Sequence, residues 1–235
     1  MRFFLYFDTL VQECWLIHKK RGIDLNSTKE ILAPFEGRRL LEWFTDLIEL
    51  WHDTAPLKPT DTQSPKGMSQ WILYKNFVIW HLEEMLREDN VDSARLLKIE
   101  SAIDRNNHIR LDVLEQIDIW IDNVLSTAGI EPGKNAPVHS ETPSNIINRL
   151  SVLCLKIYHM HERLRTEYEG NDTNTLKIRL NILEEQRKDV ATALDELIKE
   201  LRLGQKKHKV YRQFKIYNDP SFHPELFEDK SAKGE

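Results

Sequence analysis

Apolar residues recur at helical spacing along most of the chain, and the breaks between the runs carry the residues that stop helices. Phe3, Phe7, Leu10, Cys14 and Ile17 share one face and predict a first helix ending near Arg21-Gly22. Pro34 and Gly37 interrupt the chain before Leu40, Phe44, Leu47, Ile48 and Trp51 mark a second long helix. A loop from Asp53 to Gly67, with Pro56, Pro59 and Pro65, leads to two central helices divided at Asp89-Asn90, the second capped by Asp92 or Ser93. An irregular crossing ends at Thr142-Pro143, a cap followed by proline in the first turn. From there Ile146, Leu150, Leu153, Ile157, Met160 and Leu164 keep a heptad-like rhythm. Gly170-Asn171-Asp172 then turns the chain into a last helix built on Leu180, Leu183, Val190, Leu194, Leu197 and Leu201. No segment alternates for long enough to be a strand. The expectation is an all-α bundle of about six helices over residues 1–204, a basic and aromatic tail (205–228) packed back on it, and a disordered end (229–235).

The central stretch from Asn76 to Asp122 departs from a simple amphipathic pattern. Its first helix is apolar nearly all round, as in Leu73, Phe77, Trp71, Val78 and Leu82, which predicts burial. His81 and Glu84 nevertheless share a face one turn apart. Its second helix carries a stripe of Leu96, Ile99, Ile103, Leu114, Ile117, Ile121 and Val124, into which Asn106 and Arg110 fall, with Asn107 at the edge. A guanidinium in a core stripe requires a partner. Beside the stripe run Glu100, Asp104, Glu115, Asp118 and Asp122, an acidic line whose plainer reading is a solvated face.

Composition narrows the classes. The chain has 235 residues, enough for one sizeable core, and a net charge of −5 with its Lys and Arg dispersed. Nothing masses positive charge for a phosphate backbone, so no nucleic-acid partner is expected. Two cysteines, Cys14 and Cys154, each in an apolar helical run, form no disulfide framework and fit a reducing, cytoplasmic setting. In MRFFLYFDTLV, Asp8 breaks the apolar run and no small-residue cleavage site follows, so neither a signal peptide nor membrane insertion is expected.

Four blocks, NFVIWHLEEMLR, IDRNNHIRLDVLEQID, ETPSNIINRLSVLCLKIYHM and YRQFKIYNDP, together resemble the bacterial family catalogued as domain of unknown function 4254. The resemblance aligns Trp80, His81, Glu83, Glu84 and Arg87 with its first motif, and Ile103, Asp104, Asn107, Arg110, Asp112, Glu115 and Asp118 with its second. Glu84 stands where the family has Asp, and His108 where it has Gln. No activity comes with the resemblance.

Three functional readings follow. In the first, the bundle's polar cluster binds a small polar or anionic ligand, a nucleotide or sugar phosphate, through His81, Glu84, Arg87, Asp104, Asn107 and Arg110, with Lys215, Tyr217 and Asn218 from the tail and no cofactor. In the second, the chain is a Mg²⁺-dependent all-α nucleoside phosphate pyrophosphohydrolase, with Glu84, Glu100, Asp104, Glu115 and Asp118 as the carboxylates. Arg87 occupies the third carboxylate position of that pattern. In an antiparallel hairpin about Asn90, Glu84 and Glu115 also lie roughly 27 Å apart, so only a homodimer or a broken helix would reunite them. The same hairpin puts His81 near Glu100 and Asp104 near Phe77. In the third, the chain is a non-catalytic scaffold or protein-interaction module whose polar residues only specify packing. For His81 alone the plainer reading is a hydrogen-bonded core histidine.

Overall fold

The computed structural model describes residues 25–88, 92–166 and 173–212. A short helix, α1 (Leu25–Leu32), runs into a 3₁₀ turn at Ala33–Phe35, and five long helices follow: α2 (Gly37–Asp53), α3 (Pro65–Met85), α4 (Ser93–Thr127), α5 (Pro143–Arg165) and α6 (Thr173–Arg202). The fold is an all-α bundle. Among the described residues five long helices match five of the expected six, the short α1 is an addition, and the helix expected over Phe3–Ile17 lies outside the described residues.

The helix starts follow the local chemistry. Pro34 has no amide to donate, and the chain takes a 3₁₀ turn there before α2. Ser64 caps α3 by accepting from the Gly67 amide at 3.0 Å, with Pro65 in the first turn. Asp92 caps α4 through the Arg95 amide at 2.8 Å. Thr142 and Pro143 open α5 in the same manner.

α5 is the centre of the bundle, in contact with α6, α2, α3 and α4. Its Ile146, Ile147, Leu150, Cys154, Leu155 and Ile157 are all buried, against Leu40, Phe44 and Ile48 of α2, Ile72, Leu73 and Phe77 of α3, Ile117 and Ile121 of α4, and Leu194, Leu197 and Leu201 of α6. α3 and α4 pair closely as the antiparallel hairpin the sequence suggests: Lys75 meets Asn106, and Asn76 meets Arg110. Much of the N-terminal half of α4 is exposed, Leu97 and the stripe residue Leu96 included, while Ile99 is buried.

Beyond α6, Gly204 takes a positive φ of 65° and the chain turns back along the 133–138 segment, where the Lys207 amide donates to the Pro137 carbonyl at 2.9 Å. His208 is buried between Asp118 and Asp122, and Arg212 reaches Glu115 at 3.3 Å. Among the described residues no strand forms; one isolated bridge joins Val138 and Lys207. No described helix is long and apolar enough to cross a membrane.

Candidate functional site

Two polar groups lie along the interface of α3 with its neighbours. The first is the seam that Asn106 and Arg110 announce in the sequence. Asn76 stands at its middle and uses its whole amide: its NH₂ donates to Asn148 Oδ1 at 2.9 Å and Ser151 Oγ at 2.7 Å, and its oxygen accepts from Arg110 Nη1 at 2.6 Å. One turn of α4 away, the buried Lys75 ammonium donates to Asn106 Oδ1 at 2.9 Å, with the faces of Trp71 and Tyr74 at 4.9 and 5.5 Å. Asn106 in turn donates to the Ala102 carbonyl.

The seam is cationic. Among the described residues neither Lys75 nor Arg110 has a carboxylate within ion-pair distance, and Arg110 Nε is buried without a partner. Burial pulls both side chains below their ordinary pKa, Lys58 adding to the effect at Lys75. A groove of about 340 Å³ between α5 and α6, bordered by Arg149, Lys156, Gln186 and Asp189, shares Asn148 with the seam.

The second group lies further along α3. His52 at the end of α2, His81 on α3 and His159 on α5 each bring one ring nitrogen to within 4.8 Å of the others. Aromatic rings hold all three. His52 stacks on Tyr158 with centroids 3.9 Å apart, His159 lies parallel to Trp80 at 4.7 Å, and His81 packs on Phe77 at 4.4 Å. His52 Nδ1 hydrogen-bonds the Ile48 carbonyl at 2.7 Å, and His159 Nδ1 the Glu162 carboxylate at 3.0 Å. Both partners only accept, so each Nδ1 carries the proton. The unpartnered buried nitrogens are then His52 Nε2, His159 Nε2 and His81 Nδ1. Burial lowers the pKa of His81 and His159, the neighbouring His52 adding to this and Glu84 and Glu162 opposing it.

The sequence-level candidates separate in space. Arg110 sits in the cationic seam and His81 in the histidine group. Glu84 borders the latter, its Oε2 3.7 Å from His81 Nδ1 and its Oε1 accepting from the Trp80 indole at 2.8 Å. Arg87, just past the end of α3, folds back onto Glu83, Asp104 is exposed, and Asn107 is half-buried. Lys215, Tyr217 and Asn218 lie outside the described residues.

The five carboxylates proposed for Mg²⁺ do not converge. Asp118 is buried and accepts from the amide and hydroxyl of Ser144 at 3.1 and 2.7 Å, Glu115 faces Arg212, and Glu100 and Asp104 stay on the exposed side of α4. Nor does His81 meet Glu100: five residues beyond Asn76 the helix has turned by about 140°. That turn aims His81 at His52 and His159, away from α4.

A family model described as "Protein of unknown function (DUF4254)" matches residues 70–210. The chain belongs to this family. No curated protein and no solved structure matches it. The DUF4254 match contains the whole cationic seam, His81 and His159, and stops short of His52.

Within this DUF4254 chain, Lys75, His52 and His159 went unremarked in the sequence, although a signal was present. His52 continues the row Leu40, Phe44, Ile48 at four-residue steps, and His159 continues Ser151 and Leu155 in the same way. A histidine in the core row of each of two helices is the pattern that helical spacing could have found.

Proposed function

We propose that the protein binds a small anion, a phosphate or carboxylate group carried by a metabolite, at the seam of α3, α4 and α5. The observation that carries this reading is the pair Lys75, buried, and Arg110, half-buried, two cations whose side-chain partners are amide oxygens. Desolvating a charge is costly unless an opposite charge compensates, and an anionic ligand would supply it. Arg110 offers a planar fork suited to two oxygens, and Lys75 a compact charge beside it. Asn76, fully bonded to Asn148, Ser151 and Arg110, positions the guanidinium. This reading keeps Arg110 from the residues singled out in the sequence, adds Lys75, and makes no use of Arg87 or Asp104.

The test is a thermal-shift and calorimetric screen against inorganic phosphate, nucleotides, sugar phosphates and dicarboxylates. A ligand at a hundred times its dissociation constant adds about 2.7 kcal/mol, a readable rise in melting temperature. Arg110→Met and Lys75→Met are each expected to weaken the hit at least tenfold. If no anion shifts the melting temperature, and Arg110→Met folds with equal or greater stability, the seam is a packing device and the reading is wrong.

A further inference from the structure

We propose that His52, His81 and His159 form a binding site for a divalent transition-metal ion of the zinc class. This inference does not rest on the anion site. Three separate helices deliver one imidazole each to a common point, with the ring nitrogens no more than 4.8 Å apart. In a tetrahedral site with bonds of about 2.0–2.1 Å, such nitrogens stand roughly 3.3 Å apart. Closing the group therefore takes at most about 1.5 Å of side-chain movement by that comparison, within the reach of small ring rotations.

The proton placement favours a metal over a hydrogen-bonded cluster. The Ile48 carbonyl and the Glu162 carboxylate fix the protons of His52 and His159 on Nδ1, which leaves each Nε2 with a lone pair and no donor to meet. His81 Nδ1 is buried without a partner in the same place. Two unmet Nε2 lone pairs with a third imidazole beside them is an arrangement an ion would satisfy. A carbonyl or carboxylate behind the ligating imidazole is also the usual outer support of a metal histidine, since it sets the tautomer and the ring angle. Imidazole ligands select zinc, copper or nickel over Mg²⁺ or Ca²⁺, which prefer oxygen.

Three protein ligands leave a fourth position open, as in catalytic rather than structural zinc sites. Of the two rings nearest Glu84, His81 is the more exposed, at 38% against 11% for His159, so the open position is on the His81 side. Glu84 stands there, one oxygen held by Trp80 and the other 3.7 Å from His81 Nδ1.

The experiment uses the full chain without a histidine tag. Zn²⁺ titrated by calorimetry is expected to bind at one equivalent. X-ray absorption of the zinc-loaded wild type should count three imidazoles, and Co²⁺ should give the visible bands of a four-coordinate site. His52→Gln and His159→Gln should each weaken Zn²⁺ binding roughly a hundredfold or more. His161→Gln, two residues on, turned about 200° away and facing Glu184, should leave it unchanged. Absence of stoichiometric binding to the wild type, an absorption spectrum with only oxygen ligands, or binding that survives both substitutions in folded protein would each overturn the site. Should a variant fail to fold, the wild-type spectrum decides. Lys75→Met and Arg110→Met are expected to bind Zn²⁺ normally, so failure of the anion site and failure of the metal site are read separately.

Discussion

Asn76 illustrates how a single residue can bind three helices at their crossing. Its amide has two donors and an oxygen, and it spends them on Asn148, Ser151 and Arg110, so α3 is keyed to α5 on one side and α4 on the other. Asp118 does the same for the start of α5, where its carboxylate takes both the amide and the hydroxyl of Ser144. Cys154 behaves in the opposite way. Burial pushes its thiol up from 9.0 to about 11, with Arg187 and Thr45 opposing the shift. The folded state therefore holds this proton more tightly than the unfolded state. Its contribution to stability is present below pH 9 and is lost as pH rises through about 11. At pH 8 the native thiol is expected to resist iodoacetamide and to alkylate once the protein is unfolded in guanidinium, as read by peptide mass spectrometry. Rapid labelling of Cys154 in the native protein would contradict this burial.

At the scale of the element, the start of α2 is held by contact with α6 and not by a cap of its own. The Gly37 amide donates to Asp195 Oδ1 at 2.6 Å, and Arg38 Nε to the other oxygen at 3.0 Å. A Cβ on Gly37 would lie 2.1 Å from the Ala191 carbonyl oxygen, a backbone atom that cannot swing aside. Gly37→Ala is expected to cost roughly 1–3 kcal/mol, because the two helices must separate. Arg38→Ala should cost less than about 1 kcal/mol, since an ion pair with one partner this exposed is screened by water. Arg38 is 83% exposed. Urea unfolding of the two variants checks the order; equal losses would mean that charge, not contact, joins α2 to α6.

On the scale of the whole molecule, α5 is the axis around which the other long helices pack. Ile147 and Leu150 are fully buried on it, whereas Leu97 in the N-terminal half of α4 is 64% exposed. Ile147→Ala or Leu150→Ala is expected to lose about 2–5 kcal/mol, and Leu97→Ala to stay within about 0.5 kcal/mol. Denaturant midpoints would show it, and a large loss in Leu97→Ala would reveal a partner covering that surface. α5 reads in sequence as one amphipathic helix among several, because its rank depends on what packs around it.

What the sequence determined by itself was local: which segments are helical, where Asp92 and Thr142-Pro143 start two of them, and that Asn106 and Arg110 break an apolar stripe. Each of these follows from spacing or from one side chain bonding its own backbone, interactions that span a few residues. The family relationship is also a property of sequence, and it covers residues 70–210. The tertiary structure decided what meets across helices. Lys75 reads as one lysine on a mostly apolar helix until α4 brings Asn106 to it. His52, His81 and His159 are far apart in the chain and become neighbours only when α2, α3 and α5 pack together. The acidic line of α4 looks uniform in sequence, yet the fold buries Asp118 under the start of α5 and leaves Glu100 and Asp104 in water. Helical periodicity fixes the angle at which a side chain leaves its own helix, and the packing of the others decides what it finds there.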